Sequence, residues 1–125
     1  MILGLGLDVV ETAQLGRLIE GYGERFEERV FTEREREECA GRADRAQALA
    51  ARFAAKEACM KALGTGWSQG ISFLQVEVVS PDGGAPVVSL SGRAADRARE
   101  QGVRRVHVSL SHQPGIAAAA VILEG

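Results

Sequence analysis

No stretch of the sequence approaches the roughly 20 apolar residues that a membrane-spanning helix needs, so a transmembrane helix is not expected. The opening MILGLGLD carries neither the basic region nor the cleavage site of a secretory signal, and a cytoplasmic protein is expected. Neither sign of charge is in excess: 15 Lys and Arg against 17 Asp and Glu leave a net charge of −2. No global field therefore favours nucleic acid or an anionic membrane, and recognition of any charged partner must be local. Cysteine is scarce too. Cys39 and Cys59 lie in helical contexts without CxxC spacing, which argues against a disulfide framework and a zinc site. Repeats, linkers and low-complexity tracts are absent. The 125 residues, 46% of them hydrophobic, suffice for one core and not for two ordinary domains. A single domain over residues 1–125 is expected.

Lysine is the scarcest charged residue. Of the 15 basic residues only Lys56 and Lys61 are lysine, and both fall in RFAAKEACMKALGTG, residues 52–66. A chain that otherwise uses arginine has kept a compact ammonium in this one stretch. Glu57 and Lys61 are four apart and share a helix face, which by itself fits an exposed ion pair contributing a few tenths of a kcal/mol.

Element by element, residues 1–10 read as a buried strand interrupted by Asp8, whose carboxylate must be paired, hydrogen-bonded, metal-bound or used as a helix cap. A helix follows over 11–20 and a short helical turn over 24–30. Thr32 and Glu35 match a capping box for a helix over about 33–40, whose EREREE face reads as solvated. The longest helix is expected from about 45 to 63, capped by Asp44 and stopped by the glycine-rich Gly64-Thr65-Gly66. Alternation over 71–80 and the apolar 86–90 read as a hairpin around Pro81-Asp-Gly-Gly, and a helix follows over 91–101. Residues 104–111 and 116–123 read as a central hairpin around Gln113-Pro-Gly. This order implies an α+β fold rather than a doubly wound sheet. Three polar points stand on it: Asp8, Glu57 with Lys56 and Lys61, and Ser111-His112. Two carboxylates from distant parts of the chain suit Mg²⁺, which takes one or two carboxylates and completes its shell with water and phosphate oxygens.

The segments GLGLDVVE (4–11), RVFTERE (29–35), RFAAKEACMKALGTG (52–66) and SLSHQPGIAAAAVILE (109–124) together resemble the holo-[acyl-carrier-protein] synthase family, the short single-domain 4′-phosphopantetheinyl transferases. The resemblance covers essentially the whole chain. It implies that family's fold, a mainly antiparallel sheet packed with a long helix and shorter ones. It also implies Mg²⁺-dependent transfer of 4′-phosphopantetheine from coenzyme A to a serine of acyl carrier protein, releasing adenosine 3′,5′-bisphosphate. Asp8 and Glu57 match the metal positions, and Lys61 matches the lysine that steadies the pyrophosphate or protonates the departing phosphate. The base for the serine is Glu57 or a metal-held water. Arg52, Lys56, Gly64, Thr65, Gly66, Ser111 and His112 match coenzyme-binding positions, with His112 reaching across from a neighbouring subunit of a homotrimer. Arg17 and Arg25 are the expected contacts to the acidic carrier protein, with Arg29 beside them. The chain departs from many relatives at Gln14 and at Gln113-Pro114-Gly115, where contacts to carrier and coenzyme are expected to differ. Two other readings share these residues: a coenzyme A or carrier-binding module without catalysis, and a Mg²⁺-dependent pyrophosphate hydrolase. The carrier itself, from fatty acid or polyketide synthesis, is left open.

Overall fold

The computed structural model describes residues 1–66 and 68–125. Strand β1 (Ile2–Glu11) leads into helices α1 (Thr12–Tyr22), α2 (Glu24–Val30), α3 (Glu33–Cys39) and α4 (Arg45–Leu63). A 3-10 turn, Phe73–Gln75, precedes strand β2 (Val76–Val79), and a second, Pro81–Gly83, leads to β3 (Val87–Leu90). Helix α5 (Gly92–Gln101) and strands β4 (Arg105–Gln113) and β5 (Ile116–Glu124) complete the chain. The architecture is α+β, as expected, and both sheets are antiparallel. One has the order β1-β5-β4; the other is the β2-β3 hairpin.

Helix α4 lies across β1 and β5 and is buried through most of its length. Its alanines permit this, and so do two glycines of β1. A Cβ on Gly4 would stand 2.3 Å from the Ala62 carbonyl oxygen, and one on Gly6 would stand 1.8 Å from that of Ala58. Helix backbone therefore meets strand backbone with no side chain between them. Within the sheet, Gly6 and Val10 of β1 and Ala117, Ala119, Val121 and Leu123 of β5 are buried on the α4 side. The alternate residues face outward: Leu5, Leu7 and Val9 are 67%, 61% and 55% exposed, beside Ile122, Ala120 and Ala118.

Several expectations need correcting. The strand expected over 71–80 is only Val76–Val79, because Phe73–Gln75 coils into the 3-10 turn. Lys56, distant in sequence, grips carbonyls on both sides of that turn, so a tertiary contact overrides the local alternation. Asp8 caps no helix; the residue preceding α1 is Glu11. Asp44 does precede α4, but its carboxylate is taken by Arg42, whose Nε and Nη2 donate at 2.8 and 3.0 Å. The capping box at α3 is complete. The Glu35 N–H donates to Thr32 Oγ1 at 3.3 Å and the Thr32 N–H donates to Glu35 Oε1 at 2.7 Å.

Candidate active site

Asp8 faces α4 because it has the same strand parity as Gly4 and Gly6, and small Ala119 is its partner on β5. The backbone contact at Gly6 and Ala58 sets β1 level with the turn of α4 that carries Glu57 and Lys61. Lys61 Nζ donates to Asp8 Oδ1 at 2.9 Å and to the Leu7 carbonyl at 3.0 Å. The Asp8 side chain is 11% exposed, whereas that of Lys61 is 54% exposed. Glu57 completes the cluster, half-buried. Burial raises its pKa first and the charge of Asp8 adds to this, while Lys61 opposes both. The hydrogen bond from Lys61 to Asp8 raises the lysine's own pKa and keeps it an ammonium. Two carboxylates that repel one another beside a solvent-facing lysine form a site short of positive charge.

The donor set fits Mg²⁺. Both ligands are hard oxygens, and the Asp8 charge that raises Glu57 is the repulsion a bridging cation relieves. Among the described residues no group of three or more His, Cys, Asp or Glu could hold a metal. The protein can thus contribute these two side chains, leaving the rest of an octahedron to water and phosphate.

Lys56 and Arg52 are placed otherwise than expected. Lys56 points into the interior with no exposed surface, pairing with Glu35 Oε1 at 2.7 Å and donating to the carbonyls of Val76 at 2.6 Å and Phe73 at 2.9 Å. Its ammonium also lies 5.9 Å from the Phe31 ring centre. No side of it is left for a phosphate. Burial lowers its pKa, and the pairing with Glu35 offsets only part of that. Arg52, 5% exposed, donates to Glu38 Oε1 at 2.8 Å and to the Ala48 carbonyl at 3.1 Å. Their partners come from the face of α3 expected to be solvated. Glu35 is fully buried there, and both oxygens of Glu38 accept from the Ser80 N–H as well. The capping box was the one signal in the sequence that Glu35 turns inward.

Gly64 ends α4 in the left-handed conformation, φ 78° and ψ 16°, which favours glycine. Thr65 is buried and its Oγ1 donates to the Gly66 carbonyl at 3.2 Å. Ser111 and His112 lie elsewhere. Both are exposed at the far end of β4, where Gln47 Nε2 donates to the Gln113 carbonyl at 2.7 Å. Gln47 is about 15 Å of helix away from Glu57, at about 1.5 Å per residue. The chain by itself therefore brings Asp8, Glu57 and Lys61 together near Gly64, and leaves Ser111 and His112 apart from them.

Arg17 and Arg25 are exposed on α1 and α2, as is Arg29. Arg25 and Arg29 border a groove of about 780 Å³ with apolar walls that include Phe26, Val30, Met60, Ile71 and Phe73. The Phe73 ring stacks on Phe53 with centroids 5.3 Å apart, which carries the groove wall back to the helix that holds Glu57. The helical spacing of Phe26 and Val30 gave an apolar face but no sign of the groove.

Comparison with known proteins places these features in context. Residues 4–119 match the 4′-phosphopantetheinyl transferase superfamily. The chain is 56% identical to the holo-[acyl-carrier-protein] synthase of Anaeromyxobacter dehalogenans, with 100% of the chain and 98% of that protein covered. It is 44% identical to that of Maridesulfovibrio salexigens, with 99% of each covered. Its structure is similar to the crystal structure of the Neisseria meningitidis synthase, with a TM-score of 0.90, 34% identity and full coverage of both chains. The Helicobacter pylori synthase, solved in complex with coenzyme A, gives a TM-score of 0.84 and 29% identity, with 96% of this chain and 99% of that one covered.

Proposed function

Because the chain belongs to the 4′-phosphopantetheinyl transferase superfamily, in its short holo-[acyl-carrier-protein] synthase group, we propose that it moves 4′-phosphopantetheine from coenzyme A to a serine of acyl carrier protein in the cytoplasm, with Mg²⁺, releasing adenosine 3′,5′-bisphosphate. The observation that carries this reading is the Asp8, Glu57 and Lys61 cluster, assembled from the two ends of the β1 to α4 packing. Asp8 and Glu57 are the residues that hold Mg²⁺. Held by these two carboxylates, Mg²⁺ would supply positive charge against the pyrophosphate. Lys61, anchored by Asp8 and the Leu7 carbonyl, presents its ammonium to the phosphates. From there it has two roles open to it, to steady the pyrophosphate as a cation and to protonate the departing phosphate. The serine proton has two acceptors in this constellation, Glu57 and a water between the carboxylates. Gly64, Thr65 and Gly66 offer backbone to the nucleotide next along the helix. Arg17 and Arg25 supply steering for an acidic carrier.

The test is the intact mass of an apo acyl carrier protein after incubation with this protein, coenzyme A and Mg²⁺. The expected result is a gain of one phosphopantetheine group, abolished by a chelator. Free 4′-phosphopantetheine with an unmodified carrier would mean hydrolysis, and coenzyme A binding without either product would leave a binding module.

The same reading makes the enzyme a trimer with sites between subunits. Leu5, Leu7 and Val9 continue across Ile122, Ala120 and Ala118 as one exposed apolar sheet face, too large a feature to leave uncovered. Neighbouring copies also supply the route by which Ser111 and His112 reach a coenzyme held at Glu57. Leu7→Asp is expected to sediment as the 13.3 kDa monomer and to lose transfer by about a hundredfold or more. A folded monomer with wild-type turnover refutes the shared site.

A further inference from the structure

Helix α4 offers Lys61 a partner on its own face that it does not take. Glu57 stands four residues earlier, the spacing at which a glutamate and a lysine pair along a helix. The Lys61 ammonium crosses instead to β1, where Asp8 Oδ1 accepts at 2.9 Å and the Leu7 carbonyl at 3.0 Å. Among the described residues Glu57 makes no ion pair within 4.0 Å. The two acceptors are consecutive on the strand, so Leu7 and Asp8 cradle one ammonium between them. The Asp8 side chain is 11% exposed, and an ion that approaches it meets this ammonium. The lysine itself is tied only loosely: its side chain is 54% exposed, so its tip can leave the cradle without unpacking the core.

Charge decides what the contact does. Asp8, Glu57 and Lys61 together carry −1, and a divalent ion drawn to the carboxylates must come up against the cation already seated on one of them. Without the lysine the same pair would carry −2. While it stays on Asp8, Lys61 therefore weakens the hold of these two carboxylates on Mg²⁺.

We propose that Lys61 is a tethered competitor for the metal at Asp8, and that it yields when the phosphates of coenzyme A give its ammonium another partner, so that Mg²⁺ is held tightly only together with the donor. The competition rests on the fit of the two carboxylates to Mg²⁺; the release rests on the proposed transferase reading. The Leu7 carbonyl suits such an exchange. A neutral acceptor beside the carboxylate, it gives the ammonium a foothold at the strand once Asp8 is taken.

The test is calorimetric titration of Mg²⁺ into wild type, Lys61→Met, Lys61→Gln and Lys61→Arg, each with and without coenzyme A and with no carrier present. Without coenzyme A, the two neutral variants are expected to bind Mg²⁺ about tenfold more tightly than wild type, the order expected of a unit charge beside a divalent ion in a water-facing site. The arginine variant keeps the charge and stays close to wild type. The glutamine keeps an N–H for the cradle, which guards against a loss of fold in the methionine variant. If Lys61 only holds Asp8 in place, the neutral variants bind Mg²⁺ more weakly; weaker or unchanged binding overturns the proposal. Coenzyme A is expected to tighten Mg²⁺ binding in every form, and by about tenfold more in wild type than in Lys61→Met, since only wild type has a competitor to release. Equal tightening overturns the release. Should wild type modify no carrier, the transferase reading fails separately, and the titrations without coenzyme A still decide whether Lys61 competes with the metal.

Discussion

Glu57→Gln is expected to cut Mg²⁺-dependent transfer by about a thousandfold, the several kcal/mol that a charge-neutralising metal contributes to such a step, while leaving the protein folded. The amide keeps the shape and removes the charge. One of two oxygen ligands is weakened, and any role of Glu57 as base is lost. Stability should move the other way. Burial and then Asp8 raise the Glu57 pKa above its ordinary 4.5, so without metal the folded state holds this proton more tightly than the unfolded chain does. Stability is then lost as pH climbs from 4.5 through the higher folded value, because the folded protein must carry a charge it disfavours. The glutamine variant escapes that loss, and its metal-free melting temperature at neutral pH should equal or exceed that of wild type. Transfer assays across a Mg²⁺ series, with calorimetric Mg²⁺ binding, check the first part. Turnover within threefold of wild type sinks the metal assignment.

Lys56→Met is expected to be the most damaging substitution to the fold. It leaves the Glu35 carboxylate sealed in the interior without a cation, and it deprives the Phe73 and Val76 carbonyls of their donor. Removing one partner of a buried ion pair costs about 3–5 kcal/mol, which for a domain of this size lowers the melting temperature by about 10–20 °C. Burial already weakens the case for a charge at Lys56, so removing both charges should cost less than removing one. The double variant Glu35→Gln with Lys56→Met should therefore recover part of the loss. Recovery stays incomplete, because Glu35 also accepts from the N–H groups of Thr32 and Val78 at 2.7 Å each. Thermal melts of the two variants settle this; a single variant within about 3 °C of wild type contradicts the buried-pair account.

Those two lysines, five apart on one helix, show what the sequence made legible and what it did not. Their rarity marked residues 52–66 as special, and the match to RFAAKEACMKALGTG assigned the family. Periodicity then located nearly every helix and the C-terminal hairpin. Helix periodicity cannot say which side of α4 faces solvent when alanines are spread around all of its faces, so the outward lysine and the inward one looked equivalent. Their environments separate them: Lys61 meets β1 at an open edge, while Lys56 meets α3 and the 3-10 turn in a closed interior. The same contact explains why alternation over 71–80 gave too long a strand. Asp8 was legible as a buried carboxylate but not its orientation, which Gly4 and Gly6 set by their backbone contact with α4.

The order of strands also has a consequence for how the protein is made. Strand β1 has one sheet neighbour, β5, and about 105 residues separate Glu11 from its partner Ile116. A ribosome adding about 5–20 residues per second leaves β1 without that neighbour for roughly 5–20 s. Throughout that interval both edges of the strand are unpaired, and Leu5, Leu7 and Val9 have no sheet to join. The strand left longest without its sheet partner is therefore the same one that carries Asp8.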